Sequence, residues 1–224
     1  MKRDKVVITG TSNGIGLCTA IKFINLGYEV HGIDIEPSKL DVSTYIHHEV
    51  DVMSTMLPEI TDVNYLINNA GIQTNDISSI KTNLIGLINA TEAYGIQPSI
   101  KSIVNVGSVS AHTGEEFPWY AASKGGILPY TKAIANMVAK YGATCNSISP
   151  GGVLTELNQP VIDDKESWNK IMDVTPLKKW ASAEEIADWI YFIAVINKSM
   201  TGQDVIVDNG EMINSKFVWK DEEN

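Results

Sequence analysis

The sequence predicts a single-domain α/β fold, in which a doubly wound parallel sheet of about seven strands has helices on both faces. Short apolar runs alternate along the chain with longer amphipathic segments, an order typical of a parallel sheet that is covered on both sides. The 224 residues are enough for one domain with a single core. Right-handed crossovers between the strands would place a binding crevice at their carboxyl ends.

The predicted strands are the short apolar runs, and the predicted helices are the amphipathic segments between them. In chain order the strands cover residues 6–9, 28–34, 45–51, 63–68, 100–106, 144–148 and 204–207. The helices cover residues 14–26, 84–94, 119–141 and 183–196. The sequence contains no evident linker, repeat or low-complexity segment, so residues 1–224 are interpreted as one domain. Its last stretch, residues 216–224, is polar and acidic and is expected to be a frayed tail.

Composition disfavours several kinds of partner and site. The net charge of -10 disfavours nucleic acids, whose binding proteins carry basic stripes, and anionic membrane surfaces. Cys18 and Cys145 fall in a predicted helix and a predicted buried strand, which favours unpaired thiols in a reducing compartment. With no apolar signal segment or bilayer-spanning stretch in the sequence, a cytoplasmic protein is expected. The adjacent His47 and His48 would face opposite sides of a strand, so no metal site is expected.

The first predicted strand leads into a glycine-rich turn that suits a dinucleotide. Gly10 permits the turn, Gly14 lets a pyrophosphate approach the backbone, and Gly16 allows the helix to pack closely on the sheet. The amino end of that helix supplies amide donors and a dipole that favours phosphate. Asp34 ends the second predicted strand, eighteen residues after Gly16, near the position expected for a carboxylate that holds a ribose 2′-hydroxyl. The sequence therefore predicts a Rossmann-type nucleotide site.

The residues around this turn favour NAD(H) over NADP(H). The Asp34 carboxylate would repel the 2′-phosphate of NADP(H), and Asn13 rather than a basic residue precedes Gly14. No arginine is near the turn in the sequence. Lys39 could approach a 2′-phosphate, but the acidic Glu36 beside it makes that contact less favourable.

Tyr120 and Lys124 stand four residues apart in a predicted helix, so they share one face about one turn apart. A free tyrosine has a pKa of about 10 and exchanges protons poorly near neutrality. Because a neighbouring ammonium favours the phenolate, Lys124 is expected to lower the pKa of Tyr120 towards the range in which acid–base catalysis is efficient.

Two further motifs follow in order, Asn-Asn-Ala-Gly at residues 68–71 and Pro-Gly at residues 150–151. Together with the turn at residues 9–16 and the Tyr-Lys pair, they resemble the classical short-chain dehydrogenase/reductase family over nearly the whole chain, residues 6–210. The resemblance implies an oxidoreductase that transfers a hydride between a nicotinamide cofactor and an alcohol or ketone. The cofactor supplies that chemistry, and the protein supplies orientation and charge.

The resemblance also implies a catalytic tetrad of Asn83, Ser108, Tyr120 and Lys124. Tyr120 would exchange a proton with the substrate oxygen, and Lys124 would bind the nicotinamide ribose and lower the pKa of Tyr120. Ser108 would hold the substrate oxygen, and Asn83 would position a water that links Lys124 to solvent. The implied cofactor contacts are Gly10, Ser12, Asn13, Gly14, Ile15, Gly16, Asp34, Asp51, Val52, Asn69, Ala70, Gly71, Tyr120, Lys124, Pro150, Gly151, Val153 and Thr155.

The chain departs from the family pattern in its spacings. Ser108 lies twelve residues before Tyr120, one fewer than usual, so Ser110 is a competing candidate for the serine role. The segment between Asn68 and Asn83 and the one between the third and fourth strands are both short. This trimming is expected to open the rim of the substrate pocket and to leave cofactor binding intact.

In such a fold the residues between the serine and the tyrosine line the substrate pocket. The candidate substrate contacts are Ser110, His112, Phe117, Trp119, Leu154 and Leu157. Phe117 and Trp119 could form an apolar wall or pack under a loop. Glu115 and Glu116 could be solvated, or they could point inward and disfavour anionic substrates. Residues 153–177 are expected to form a mostly apolar lid, although subunit packing would explain the same apolar residues.

The expected substrate is a small or medium, largely uncharged alcohol or ketone, and the resemblance implies a homodimer or homotetramer. One alternative is a reductase of 3-oxoacyl thioesters on an acyl carrier protein. The acidic charge and the lack of arginine near the site count against it, because an acidic carrier needs a basic landing surface. Another is a non-catalytic nucleotide sensor or scaffold on the same fold, against which the complete tetrad counts.

Overall fold

The protein is described by a computed structural model over residues 3–213. Its strands are β1 (Lys5–Thr9), β2 (Glu29–Asp34), β3 (Tyr45–Glu49), β4 (Tyr65–Asn68), β5 (Ser102–Val106), β6 (Thr144–Pro150), β7 (Val153–Leu154), β8 (Ala181–Ser182) and β9 (Asp204–Val207). Seven of them form one parallel sheet in the order β3-β2-β1-β4-β5-β6-β9, and β7 pairs with β8 beside it. The strand order reverses between β1 and β4, which is where an open parallel sheet of this kind binds its ligands. The predicted doubly wound α/β fold is confirmed.

The longer helices lie where amphipathic segments predict them. They are Gly14–Asn25, Pro118–Val138 and Ala183–Tyr191, with 3-10 and π-helical continuations at Ala139–Tyr141 and Phe192–Ile196. The helix predicted at residues 84–94 begins earlier, because Asp76 caps its amino end by accepting a hydrogen bond from the Ser78 N–H. Its four consecutive pieces are Ile77–Ser79, the π-helix Ile80–Gly86, Leu87–Ala90 and the π-helix Thr91–Gly95.

Several short elements are absent from the sequence-based prediction. They are Ser110–Thr113, Glu156–Asn158, Gln159–Asp163, Lys165–Val174 and Glu211–Ile213, besides the two-residue strands β7 and β8. Except for the ten-residue helix Lys165–Val174, these elements carry too few residues for a clear hydrophobic period. The tail predicted at residues 216–224 lies outside the described residues.

Two apolar layers cover the faces of the sheet. On one face Phe23 and Ile190 pack against β1, β4 and β5, and on the other Tyr94 and Val138 pack against the same central strands. Cys18 and Cys145 are unpaired, as expected from the sequence. Within residues 3–213, none of the helices has both the length and the apolar character needed to cross a membrane.

Candidate active site

A cavity of about 1230 Å³ lies at the carboxyl ends of the central strands. It brings most of the predicted site residues together, although they are spread over more than 140 positions of the chain. The predicted residues that line it are Gly10, Asn13, Gly14, Ile15, Asp34, Asp51, Val52, Asn69, Ala70, Gly71, Ser108, Ser110, Tyr120, Lys124, Pro150, Gly151, Val153, Thr155 and Leu157. One cavity therefore spans the nucleotide turn and the Tyr-Lys pair.

The glycine-rich turn is held tightly against the end of β4. Gly10 has a φ of 74°, and a Cβ there would lie 2.8 Å from the Ala70 Cα. A Cβ on Gly16 would lie 1.8 Å from the Gly10 carbonyl oxygen, so Gly16 permits the close packing of helix and turn without lining the cavity. The Asn69 Nδ2 donates to the carbonyl oxygens of Thr9 and Gly10 at 3.1 and 3.0 Å. These contacts fix the turn before any ligand binds.

Asp34 faces the cavity with its carboxylate already oriented. Its Oδ2 accepts a hydrogen bond from the Ser12 N–H at 2.8 Å, and its Oδ1 accepts one from the Glu36 N–H at 2.9 Å. A carboxylate has about four acceptor positions, so both oxygens retain capacity for ribose hydroxyls. Ser12, a predicted cofactor contact, lies behind the turn with 1% exposure, and it acts on the site through Asp34. Lys39 donates to the Asn13 Oδ1 at the rim.

Tyr120 and Lys124 lie on the helix Pro118–Val138, with the Lys124 Nζ 5.8 Å from the centre of the tyrosine ring. The expected lowering of the Tyr120 pKa by the Lys124 ammonium is wrong. Burial raises the pKa of Tyr120 to about 12, and the Glu116 carboxylate also raises it, while a hydrogen bond with Ser108 lowers it. Burial likewise lowers the pKa of Lys124 to about 8. The sequence could not show this, because desolvation depends on the whole pocket.

Asn83 lies in the π-helical segment Ile80–Gly86, with 1% exposure. Its Nδ2 donates to the Ile72 carbonyl oxygen at 2.8 Å and to the Ser123 Oγ at 3.0 Å, while its Oδ1 accepts from the Ile72 N–H at 2.7 Å. The side chain thus ties the loop after β4 to the helix that carries Tyr120.

The two serines form a chain that ends on an acidic residue. The Ser108 Oγ donates to the Ser110 Oγ at 3.2 Å, and the Ser110 Oγ donates to the Glu116 Oε2 at 2.7 Å. Glu116 has a φ of 70°, a conformation that L residues adopt at a cost. Its carboxylate is therefore directed inward, which is one of the two alternatives for this residue.

Four of the six predicted substrate contacts lie outside this cavity. The His112 Nε2 lies 2.8 Å from the Asp204 Oδ2 at the start of β9, and Phe117 and Trp119 are 43% and 44% exposed, outside the cavity. Leu154 lines a smaller neighbouring cavity of about 460 Å³. Of the two alternatives for Phe117 and Trp119, the apolar wall of the substrate pocket is not formed, because both rings lie at the surface where the helix Pro118–Val138 begins.

Trp180 and Glu211 are two of the cavity residues that the sequence-based prediction lacks. Trp180 precedes β8 and packs on Gly152, where a Cβ would lie 1.9 Å from the Trp180 Cε2. Glu211 accepts a hydrogen bond from the Gly152 N–H at 3.3 Å, and burial raises the pKa of its carboxyl. The adjacent pair Gly151-Gly152 is the sequence signal for such a close approach. Within residues 3–213, no group of three or more His, Cys, Asp or Glu side chains is placed to hold a metal ion.

Comparison with known proteins agrees with this architecture. Residues 10–211 match the family model described as Enoyl-(Acyl carrier protein) reductase. The chain is 29% identical to the 3-oxoacyl-[acyl-carrier-protein] reductase of Buchnera aphidicola, over 94% of this chain and 98% of that one. The ligand-free aldohexose dehydrogenase of Thermoplasma acidophilum superposes with a TM-score of 0.82 at 28% identity, covering 98% of both chains. A variant of ElxO with NADPH bound gives a TM-score of 0.82 at 25% identity, covering 95% and 100%.

Proposed function

The chain belongs to the classical short-chain dehydrogenase/reductase family, and from that premise we propose an NAD(H)-preferring alcohol dehydrogenase or ketone reductase for small or medium, largely uncharged substrates. It is an oxidoreductase that acts on CH–OH and C=O groups with a nicotinamide nucleotide. The observation that carries the finer proposal is the single cavity in which Asp34 and the Ser108, Tyr120 and Lys124 side chains all lie.

The residues of the turn suit a dinucleotide. The Gly10 and Gly14 backbone leaves room for a pyrophosphate at the amino end of the helix Gly14–Asn25. Asp34 keeps acceptor capacity for the adenosine ribose, and its charge would repel a 2′-phosphate. This supports NAD(H), although Lys39, which donates to the Asn13 side chain at the rim of the cavity, provides one cation that would attract the 2′-phosphate of NADP(H). The bound nucleotide would supply the hydride chemistry.

The catalytic roles follow from the side chains around the reacting centre. In reduction, the Tyr120 hydroxyl would donate its proton to the substrate oxygen; in alcohol oxidation, the phenolate would accept it. Ser108 would hold the same oxygen by a hydrogen bond. Lys124 is protonated near pH 7, because the lowered pKa is still about 8, so its ammonium would stabilise the phenolate that forms. Asn83 would fix the loop after β4 against the catalytic helix.

The acidic side chains of the cavity favour a substrate without negative charge. Glu116 and Glu211 both line it, and each carboxylate would repel an anionic substrate. The same charge counts against an acidic carrier protein, although a relative is a 3-oxoacyl-[acyl-carrier-protein] reductase. We propose residues 153–177 as the lid, since Leu157, Ile171 and Val174 from that segment line the cavity.

The remaining proposals concern the setting of the enzyme. We propose that residues 1–224 form one domain, that the protein works in the cytoplasm as a homodimer or homotetramer, and that it has no nucleic-acid or membrane partner. The net charge of -10 and the free cysteines support this setting. Light scattering coupled to size-exclusion chromatography measures the oligomeric state, and a monomeric mass would contradict it.

A substrate panel tests the activity. Purified protein is assayed with NADH and with NADPH on acetoin, cyclohexanone, glucose and acetoacetyl-thioester, comparing the native chain with Tyr120→Phe. Loss of the phenol is expected to lower turnover by about 10²–10⁴-fold with little change in NADH affinity, whereas the control Tyr141→Phe retains activity. Equal turnover by Tyr120→Phe would contradict the catalytic role. Cofactor binding without turnover of any carbonyl would favour a nucleotide sensor, and turnover confined to the thioester would favour the carrier-linked reductase.

A further inference from the structure

A chain of hydrogen bonds runs beneath the nucleotide turn, from its Thr11 to the loop after β2. The Thr11 Oγ1 lies 2.8 Å from the Tyr45 Oη, which lies 2.9 Å from the His47 Nδ1. The other ring nitrogen, His47 Nε2, lies 2.9 Å from the Glu36 carbonyl oxygen. Tyr45 and His47 both belong to β3, the edge strand, and both point to the same face of the sheet. The chain thus connects β3 to the two loops that border Asp34.

The hydrogen-bonded series Thr11–Tyr45–His47 crosses β2 at Gly32, the one residue of that strand that has no side chain. Gly32 pairs with Ile8 on β1 and with His47 on β3. A Cβ on Gly32 would lie 2.0 Å from the Tyr45 Oη and 2.5 Å from the Thr11 Oγ1. Any other residue at position 32 would therefore displace these hydroxyls. The glycine, the tyrosine and the threonine form one fitted unit.

Each group in the chain has a single direction of hydrogen bonding when the imidazole is neutral. The Glu36 carbonyl oxygen only accepts, so His47 donates from Nε2 and accepts at Nδ1. The Tyr45 hydroxyl then donates to His47 and accepts from the Thr11 hydroxyl. Thr11 and Tyr45 are buried, with 1% and 9% exposure, so a broken link would leave a buried polar group unsatisfied.

Both ends of the chain reach the peptides that orient Asp34. Glu36 donates its N–H to the Asp34 Oδ1, and its carbonyl oxygen accepts from His47 and from the Ser12 Oγ at 3.0 Å. Thr11 immediately precedes Ser12, whose N–H donates to the Asp34 Oδ2. We propose that Tyr45 and His47 are positioning residues for the adenosine ribose of the cofactor. They fix the two peptides that aim the Asp34 carboxylate, and the inference rests on the proposed role of Asp34.

The test measures cofactor binding without turnover. Dissociation constants for NADH and ADP-ribose are determined by titration calorimetry for the native chain, Tyr45→Phe and Tyr94→Phe. Tyr94 is the matched control, because it is 1% exposed and its Oη donates to the Pro58 carbonyl oxygen at 2.9 Å, far from the turn in the sequence. Tyr45→Phe is expected to weaken both ligands about tenfold, and Tyr94→Phe less than twofold at a comparable loss of Tm.

A double-mutant cycle with Asp34→Ala separates positioning from general destabilisation. If Tyr45 acts through Asp34, the double variant binds NADH no more weakly than Asp34→Ala alone, whereas Tyr94→Phe combined with Asp34→Ala is additive. Additive effects of Tyr45→Phe and Asp34→Ala would overturn the inference.

Variants at the histidine pair give a second comparison. His47→Gln keeps an N–H for the Glu36 carbonyl oxygen and is expected to bind NADH within threefold of the native chain, while His47→Leu loses about tenfold. The neighbouring His48 faces the other side of β3, where its Nε2 lies 3.0 Å from the His31 Nδ1, so His48→Leu serves as the control. A native chain that binds neither NADH nor ADP-ribose would overturn the proposed function and this inference together. If the native chain binds NADH and the two variants His47→Leu and His48→Leu lose the same amount of NADH affinity, this inference alone is overturned.

Discussion

Burial of the Lys124 ammonium lowers the stability of the folded protein. Its side chain is 5% exposed, and its Nζ donates to the Val106 carbonyl oxygen at 2.9 Å. Burial lowers its pKa from 10.5 to about 8, and the Glu116 carboxylate offsets this lowering only in part. The folded protein therefore binds the lysine proton more weakly than the unfolded chain does. We predict that Lys124→Met stabilises the ligand-free protein at neutral pH while abolishing activity.

The size of the gain follows from the shift in pKa. The difference between 10.5 and about 8 corresponds to about 3 kcal/mol, at about 1.36 kcal/mol for each pH unit. The unfolded chain holds a proton that the folded chain has released between pH 8 and 10.5, so native stability rises with pH across this window. Burial of the Lys124 ammonium therefore costs about 3 kcal/mol of stability at pH 7 and about 1 kcal/mol at pH 9.5. Loss of the hydrogen bond to Val106 costs about 1 kcal/mol, so Lys124→Met is expected to gain about 2 kcal/mol of stability at pH 7 and about 0 kcal/mol at pH 9.5.

Urea denaturation without cofactor measures the unfolding free energies of the native protein and of Lys124→Met at pH 7 and at pH 9.5. The exposed Lys132 lies on the same helix, so Lys132→Met is the control and should follow the native pH dependence. The reasoning would be refuted if native protein and Lys124→Met showed the same change in unfolding free energy between the two pH values. A destabilised Lys124→Met at pH 7 would equally show that the ammonium is not held at a cost.

Three further changes test other parts of the site. Asp34→Ala is expected to weaken NADH binding about tenfold, through loss of a charge-assisted hydrogen bond, and to reduce the preference of the protein for NADH over NADPH. An unchanged ratio of the two dissociation constants, measured by fluorescence titration, would contradict the ribose contact. Gly16→Ala, whose Cβ would lie 1.8 Å from the Gly10 carbonyl oxygen, is expected to lose about 1–3 kcal/mol of stability and NADH affinity, whereas Gly125→Ala, with nothing closer than 4.0 Å, should fold normally by circular dichroism. Glu116→Gln is expected to improve inhibition by acetoacetate several-fold relative to its neutral methyl ester, and equal changes for the two ligands would count against an inward carboxylate.

Much of the fold and of the nucleotide turn could be predicted from local sequence. The strand β1, the glycines of the turn and Asp34 are separated by short, regular spacings, and parallel strands bring their carboxyl ends to one edge. The spacing of Tyr120 and Lys124 in a long helix fixes their shared face. These features depend on backbone geometry, which neighbouring residues largely decide.

The walls of the cavity could not be predicted in the same way. Phe117 and Trp119 are apolar and precede the catalytic tyrosine, yet they point to the surface, while Trp180 and Glu211 enter from distant segments. No sequence motif distinguishes His47 from His48. His47 is linked to the glycine-rich turn through Tyr45, whose hydroxyl fits beside Gly32 because that residue has no side chain. Loop direction and side-chain contacts of this kind depend on long-range packing.

The sequence by itself therefore determined the order of the strands and helices, the family and the positions of the reactive groups, because these follow from period, spacing and glycine placement. Only the tertiary structure decided the state of those groups. Burial raises the pKa of Tyr120 to about 12 and lowers that of Lys124 to about 8, the opposite of what two neighbouring side chains on an exposed helix would do. The physical reason is desolvation, which is a property of the assembled pocket and of no single segment of the chain.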